Sequence, residues 1–247
     1  KEKILVVGLG NRAVTPDALG PYVVDNLYIT RHLLSEGIVK DVREISAICP
    51  GVMAQTGIES STILKALCDE IKPDIVQIHN LHSNCLNYEM FFTYLKERQI
   101  PVVWTFHDCW PFTGKCTHFV ANGCRKWETE CGNCPQRHTS GSITWFFDKT
   151  RKMFNQKKKW TTGLKSLDII VCSHWLKSEV QKSFLKAYPI HMIYNWIDMT
   201  KFCEIHDDTV YEKYGLNKNK KIIVSVSALW DDKTTRFADA LRLAEVL

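Results

Sequence analysis

The feature that most constrains the fold is the alternation of short apolar, β-branched runs with longer segments of helical periodicity. Strand-like runs lie at residues 4–7, 42–48, 75–78, 101–106, 168–171, 191–194 and 221–226. Helical periodicity fills the intervals at 19–35, 61–71, 87–98, 145–160 and 175–185. Parallel strands need a long crossover, usually a helix, so this alternation is typical of βαβ units. It predicts an α/β fold with a Rossmann-like, doubly wound and mostly parallel sheet.

One helix illustrates the pattern and its expected ends. The segment 61–71 places four apolar residues on one face, namely Ile63, Leu64, Leu67 and Ile71. Ser60 or Ser61 is positioned to cap its N-terminus. Pro73 follows the segment and is expected to end it.

A polar stretch over 204–220 predicts where the chain changes domain. It connects the last strand-like run, at 221–226, to the preceding α/β units. We therefore expect residues 1–215 to form one Rossmann-like domain and residues 216–247 to begin a second one.

Composition narrows the class of protein. Hydrophobic residues make up 45% of the chain, but no run approaches the roughly 20 apolar residues of a membrane span. The amino terminus lacks a signal-peptide pattern, so we expect a cytoplasmic protein. The net charge of +5 is modest and concentrated over 149–159, which argues against nucleic acid as a partner. That basic helix is either an ordinary amphipathic surface helix or a peripheral contact with the inner face of a membrane.

Polar side chains follow two of the predicted strands. His107 and Asp108 come directly after the strand at 101–106, and His79, Asn80 and His82 follow the strand at 75–78. The carboxyl ends of parallel strands line the ligand crevice of α/β proteins. We therefore expect these residues to contact substrate, with acceptor hydroxyls or phosphates near the second group. The alternatives are that backbone groups satisfy His79 and His82, and that His107 is a structural histidine tied to Asp108.

Five cysteines crowd into residues 109–134: Cys109, Cys116, Cys124, Cys131 and Cys134. Only the last two have the two-residue gap typical of a zinc knuckle. A closed structural zinc site needs that pair and two of Cys116, Cys124 and His118. The set Cys116, Cys124, Cys131 and Cys134 is the predicted metal site. The alternative is a loop packed by reduced cysteines around aromatic residues.

The amino-terminal segment carries a glycine-rich turn. Gly8 and Gly10 allow a tight turn after the first strand. Thr15 is positioned to cap the next helix, with Pro16 at its first position. Asp17 then lies where the helix dipole favours an anion, which is the structural interpretation of this carboxylate.

The strings TPDALGP, PGVM and TGIE in residues 1–60 resemble the spore germination protease family. In that family the aspartate matching Asp17 is one of two carboxylates implicated in peptide cleavage. The resemblance implies that the second carboxylate is an aspartate at the end of the strand that begins Lys72-Pro73-Asp74. This chain has Asn80 there instead. An amide cannot act as a general base, so we expect the two-carboxylate chemistry to be broken.

From about residue 61 the chain resembles retaining nucleotide-sugar glycosyltransferases of the family 4 type, which have two Rossmann-like domains. The resemblance is carried by residues 73–82, 104–114, 131–136, 173–176 and 195–198. It implies a nucleotide-diphosphate sugar as donor, a hexose transferred with retention, and a glycan or lipid-linked acceptor. It also implies that His107 lies near the donor sugar.

Two further substrate contacts follow from the same resemblance. Asn195 begins Asn-Trp-Ile-Asp where the family usually has Asn-Gly-Val-Asp. Lys233 stands where the family offers basic groups to the donor diphosphate. Because the resemblance ends inside the second domain, we expect this truncated chain to be inactive by itself. The alternatives are a germination-type endopeptidase fragment that cleaves small acid-soluble spore proteins, and a non-catalytic binding domain.

Overall fold

The strands of the computed structural model pair in parallel throughout the described residues, which confirms the predicted α/β class. The structure describes residues 3–10, 18–51, 56–79, 81, 85–138, 146–204, 208–220, 222–224 and 235–246. Its contacts divide the chain into two compact units, Lys1–Asn195 and Trp196–Leu247.

The first ladder of the larger unit contains β1 (Lys3–Val7) and β2 (Glu44–Ile48). Two helices connect these strands, α1 (Leu19–Asp25) and α2 (Arg31–Ser35), so the single helix predicted over 19–35 is wrong. Thr30 explains the break, because its hydroxyl accepts a hydrogen bond from Ile45 N at 2.8 Å and donates to the carbonyl oxygen of Arg43. The side chain is thereby tied to the edge of β2.

The second ladder has the order β3-β4-β5-β6. Its strands are β3 (Val76–Ile78), β4 (Val102–Phe106), β5 (Leu167–Val171) and β6 (Ile190–Met192). The helices of this part are α3 (Ile58–Ile71), α4 (Tyr88–Arg98), α5 (Thr150–Thr161) and α6 (His174–Val180). The two ladders are separate in the described residues, whereas the sequence pattern predicts one continuous sheet.

The hydrophobic core lies on one face of β4 and β5. Alternate residues of these strands are each at most 2% exposed, namely Val102, Trp104, Phe106, Leu167, Ile169 and Val171. Phe92 and Leu95 of α4 and Phe154 of α5 pack into the same cluster. Alternation places every second side chain of a strand on the same face, so these residues turn toward the helices. The other face carries Asp168, whose carboxylate lies 2.7 Å from Nε2 of His191 on β6.

The start of α3 differs from the prediction. The helix begins at Ile58, with Gly57 as its N-cap at a φ of 69°, so neither Ser60 nor Ser61 caps it. Ser61 is instead fully buried, and its hydroxyl donates to the carbonyl oxygen of Gly57 at 2.7 Å. The same hydroxyl accepts a hydrogen bond from Asn87 N at 2.9 Å, just before α4. A tertiary contact thus uses the hydroxyl that the local pattern assigned to a cap.

Side chains near the ends of two other helices set their limits. α5 begins at Thr150 and not at 145, because Asp148 Oδ1 accepts from the backbone nitrogen of Thr150 at 2.9 Å and from its hydroxyl at 2.6 Å. α6 begins after its N-cap Ser173, which accepts from Leu176 N at 3.2 Å. It ends at Val180 and not at 185, where the chain continues in turns.

The smaller unit contains α7 (Thr209–Tyr214) and α8 (Thr235–Val246). Residues 222–224, within the strand predicted over 221–226, are described without regular secondary structure. Within the described parts of the chain, no helix is both long and apolar enough to cross a membrane.

Candidate functional site

Two histidines meet at the carboxyl ends of neighbouring strands. His79 follows β3 and His107 follows β4, and β4 extends two residues past the pairing of Ile78 with Trp104. Nδ1 of His79 lies 3.4 Å from Nε2 of His107, and the rings stack with centroids 5.7 Å apart. Both residues are exposed, so the pair presents imidazole groups to a ligand. The strand order therefore brings together two of the residues predicted to contact substrate.

The electrostatics of this pair favour a neutral His79. Its pKa is lowered, first by the partial burial of the ring and second by the charge that His107 carries when protonated. Gln77 Nε2 also lies 3.1 Å from Nε2 of His79. A neutral imidazole has one donor and one acceptor nitrogen. Nε2 of His79 accepts from the Gln77 amide and Nδ1 donates to Nε2 of His107, so Nδ1 of His107 is the ring nitrogen of the pair that is left to bind a ligand.

Asp108 shapes the turn that follows β4. Its Oδ1 accepts a hydrogen bond from Trp110 N at 2.8 Å, at the start of the 3-10 turn Trp110–Phe112. Phe112 is fully buried against Trp127, with ring centroids 5.1 Å apart. This anchoring holds the backbone next to His107, and the role predicted for Asp108 in contacting substrate stays a prediction.

A buried lysine of α5 also holds the turn that follows β4. Sequence reasoning did not identify this residue. Lys157 of α5 is 1% exposed, and its ammonium donates to the carbonyl oxygens of Trp110 at 2.7 Å and Thr113 at 3.0 Å. The ammonium also lies 3.2 Å from the centroid of the Trp110 ring. Burial lowers the pKa of Lys157 well below its usual value. The signal in the sequence is its spacing of three from Phe154, which puts both side chains on the inward face of α5.

The four cysteines of the predicted metal site line one cavity of about 20 Å³: Cys116, Cys124, Cys131 and Cys134. Burial raises the pKa of Cys116 to about 12 and that of Cys131 to about 11, and the neighbouring cysteines add to both shifts. His118, the alternative ligand, is exposed and stacks on Trp175 with centroids 6.3 Å apart. As the described side chains stand, no group of three or more His, Cys, Asp or Glu is arranged to hold a metal ion.

The remaining predicted residues lie away from the histidine pair or outside the described residues. Asn195 is exposed and is the last residue of the larger unit. Asp17, Asn80, His82 and Lys233 lie outside the described residues. The structure thus describes the surroundings of His79, His107 and Asp108, whereas Asp17, the protease-type carboxylate, lies outside the described residues.

A third histidine at the same edge of the sheet was also missed. His174 begins α6 just after β5, and its ring lies edge-on to that of Tyr194, which follows β6, with centroids 6.2 Å apart. Both residues are exposed. The signal was available, because His174 comes shortly after the strand predicted over 168–171. With His79 and His107, this edge carries histidines after three consecutive strands of the second ladder.

Two known families match this chain. Glycosyltransferase Family 4 matches residues 50–201, and Germination protease matches residues 1–88. The matches overlap over 50–88, a range that includes α3 and β3. Both resemblances that the sequence motifs indicated are thereby confirmed.

The curated relatives of the amino-terminal part are germination proteases. That of Geobacillus sp. (strain WCH70) is 56% identical over 75 residues, which are 29% of this chain and 20% of that protein. That of Caldanaerobacter subterraneus subsp. tengcongensis is 53% identical over 76 residues, which are 30% and 24%. That of Bacillus subtilis (strain 168) is 53% identical over 75 residues, which are 29% and 20%. The chain spans about a fifth to a quarter of the length of these curated relatives. Because the match over residues 50–201 covers more than half of the 247 residues, the chain belongs to Glycosyltransferase Family 4 and carries an amino-terminal segment similar to germination proteases.

Proposed function

We propose that this protein acts in the transfer of a hexose from a nucleotide-diphosphate sugar to a glycan or lipid-linked acceptor, with retention of anomeric configuration. The observation that carries the proposal is the His79–His107 pair at adjacent strand ends of a family member, with a nitrogen-to-nitrogen distance of 3.4 Å. Ligands of open α/β sheets bind at the carboxyl ends of the strands. The pair is therefore where we expect sugar hydroxyls to bind.

The chemistry of the pair suits this role. Nδ1 of His107 is the ring nitrogen that the Gln77–His79–His107 contacts leave for a sugar hydroxyl, and the lowered pKa of His79 keeps the neighbouring ring neutral near pH 7. His107 is assigned to the transition state, where positive charge develops on the sugar as the bond to the diphosphate breaks. Its imidazole ring or its backbone carbonyl stabilises that charge if the group is already in position before the reaction begins. The anchored turn that begins at Asp108 supplies that rigidity.

Other groups are assigned to the donor and acceptor by the same proposal. Asn195 and Lys233 are assigned to the donor side, with Lys233 as a ligand of the diphosphate. Asn80, His82 and Asp108 are assigned to the acceptor side.

A lipid-linked acceptor suggests peripheral contact with the inner face of a membrane. Phe146 and Phe147 are 87% and 73% exposed, and they precede the basic residues Lys149, Arg151 and Lys152. Exposed aromatic rings next to basic side chains are suited to an anionic lipid surface.

The test is transfer by a His107→Ala variant. Wild type and variant are assayed with a panel of nucleotide-diphosphate hexoses and lipid-linked acceptors, both as this chain and joined to a family-4 donor-binding domain. We expect His107→Ala to lower turnover by about 100-fold, which corresponds to ~2.7 kcal/mol of transition-state stabilisation. The melting temperature should stay nearly unchanged, because the ring is exposed.

The matched control is His32→Ala, which removes an exposed imidazole from α2 and should leave turnover unchanged. Unchanged turnover in His107→Ala would contradict the assignment, as would a loss of stability large enough to explain lost activity. Tight sugar binding without transfer by any form of the protein would instead identify a non-catalytic binding domain.

The second candidate function is that of a germination-type endopeptidase fragment, and the match over residues 1–88 favours it. Relatives more than 50% identical in this segment are named germination proteases. Cleavage of a small acid-soluble spore protein that disappears in Asp17→Asn would support this function. We expect no cleavage, because Asn80 replaces the second carboxylate of the resemblance.

A further inference from the structure

We propose that Cys116, Cys124, Cys131 and Cys134 bind one structural Zn²⁺ ion that cross-links the loop between β4 and α5. The four side chains line a single small cavity of about 20 Å³, although they come from positions up to 18 residues apart. A space of that size holds roughly one water-sized atom. Four cysteines around such a space are the ligand set of a closed, tetrahedral zinc site.

Hydrogen bonds hold the backbone of three of the four cysteines. The carbonyl oxygen of Cys116 accepts from the Thr113 hydroxyl at 2.6 Å, and that of Cys124 accepts from Trp127 Nε1 at 3.2 Å. Cys134 N donates to Asp148 Oδ2 at 2.8 Å. Three of the four positions are therefore fixed by contacts that leave the sulfur atoms available.

The fourth cysteine is held through its sulfur. Gly114 N donates to Cys131 Sγ at 3.2 Å, and a side chain at Gly114 would crowd Cys131, because an added Cβ would lie 3.1 Å from Cβ of Cys131. Backbone N–H groups that donate to sulfur stabilise a thiolate more than a neutral thiol, since hydrogen bonds to charged acceptors are stronger. This contact is the outer-shell support that metal-bound ligands usually have.

The turn from Cys131 to Cys134 has the folded shape that a zinc knuckle requires. Asn133 lies in the left-handed region at a φ of 46°, which reverses the chain within two residues. The Lys126 ammonium donates to the carbonyl oxygens of Gly132 at 3.1 Å and Asn133 at 2.8 Å. The side chain of another part of the loop thus clamps the turn between the two cysteines.

The proposal requires the cysteine side chains to rotate toward the cavity. The described side chains form no metal-binding group as they stand, but one change of χ1 moves a cysteine sulfur by about 3 Å. Zinc needs sulfurs at about 2.3 Å. Because all four side chains border the same cavity, we expect the ligands to converge on one ion mainly by side-chain rotation. The exposed His118, stacked on Trp175, is outside this set.

Charge also favours a metal–thiolate centre. Binding releases the four thiol protons to solvent and forms four Zn–S bonds, so that the centre carries a net charge of about −2 with no change of oxidation state. Lys126 and Lys115 border the cavity, and the buried Lys157 lies behind it at Thr113. These ammonium groups offset the negative charge of a buried tetrathiolate.

A cross-link would stabilise this loop, because it contains little regular secondary structure. Residues 107–138 contain only three 3-10 turns of three residues each. Long segments without regular structure lose much conformational entropy on folding. A metal ion bound by four residues of the loop adds its binding free energy to the folded state. The ion therefore holds the segment that begins at His107.

The experiment measures metal content and not activity. The purified chain, kept reduced and passed over a chelating resin, is analysed for zinc by elemental mass spectrometry, and is then exchanged with Co²⁺. We expect about one zinc per chain and the intense visible bands of a tetrahedral cobalt–thiolate site. Cys131→Ser and Cys134→Ser should lower the zinc content to near zero. The matched control, Cys172→Ser, replaces a half-buried cysteine outside the cavity and should keep the zinc.

Three results would overturn the proposal. One is a wild-type chain with negligible zinc and no cobalt–thiolate bands. Another is a disulfide among the four cysteines, detected by mass spectrometry of protein purified without reductant. The third is loss of zinc in Cys172→Ser together with its retention in Cys131→Ser. If a ligand variant fails to fold, the metal content and cobalt spectrum of the wild-type chain still decide the question.

Discussion

Replacing Lys157 by methionine tests the buried ammonium beneath the turn that follows His107. The side chain is 1% exposed and donates to the carbonyl oxygens of Trp110 and Thr113 at 2.7 and 3.0 Å. Methionine has a similar length and fills the space of the apolar stem, so no large cavity opens. The substitution therefore isolates the loss of the ammonium group.

The magnitude follows from the groups left behind. Each buried carbonyl that loses its donor costs about 1–3 kcal/mol, which gives about 2–6 kcal/mol for the two. Loss of the ammonium over the Trp110 ring, now at 3.2 Å from its centroid, adds to this cost. Relief of the desolvation of a buried charge opposes it. We expect Lys157→Met to lower the free energy of unfolding by about 3 kcal/mol, or the melting temperature by about 6–12 °C.

The assay is urea unfolding followed by circular dichroism, with a thermal melt of the same samples. Lys158→Met is the matched control, because it makes the same change at an exposed position of the same helix. We expect the control to stay within about 0.5 kcal/mol of wild type. A Lys157→Met protein as stable as the control would refute the reasoning, since the ammonium would then contribute nothing to the turn.

Two further predictions concern Gly57, which lies where the two family matches overlap, and the His79–His107 pair. Gly57→Ala should destabilise the protein by at least about 2 kcal/mol more than Gly37→Ala, because both positions have a φ near 70° but only at Gly57 would the new Cβ meet backbone, 2.4 Å from the Leu86 carbonyl carbon. Equal unfolding midpoints for the two variants would contradict this packing. The pKa of His79 is lowered on folding, so the unfolded chain binds more protons below about pH 6.5, and stability contributed by the neutral ring is lost as the pH falls. The melting temperature of wild type should therefore fall more than that of His79→Gln between about pH 7.5 and pH 5.5, and parallel pH profiles would show that His79 is not responsible.

Local sequence patterns predicted those parts of the fold that depend on neighbouring residues. The apolar run over 101–106 predicted a strand, and the structure forms β4 there with Val102, Trp104 and Phe106 each 1% exposed. Asn87 marks the start of α4, where its side chain accepts from Met90 N at 3.0 Å. Such features are legible because periodicity and capping involve residues close together in the chain.

The same reasoning failed where a side chain contacts residues that are distant in the sequence. Ser61 is a plausible cap by pattern, but its hydroxyl bonds to Gly57 and to Asn87, 26 residues away. Thr30 interrupts a predicted helix through bonds to the edge of β2. Lys157 belongs to a basic run that composition assigns to solvent, yet two carbonyl oxygens of the β4–α5 loop bind it. In each case a polar side chain serves a partner that the local pattern does not reveal.

The sequence by itself determined the α/β class, the family motifs and the positions of His79 and His107 after strands, because these depend on short-range order of residue types. Only the tertiary structure decided that the two imidazoles stack and that four cysteines share one cavity. Strand order determines which strand ends become neighbours, and the path of a long loop determines which side chains converge. Both are set by packing of the whole unit, where burial of apolar surface outweighs local preference.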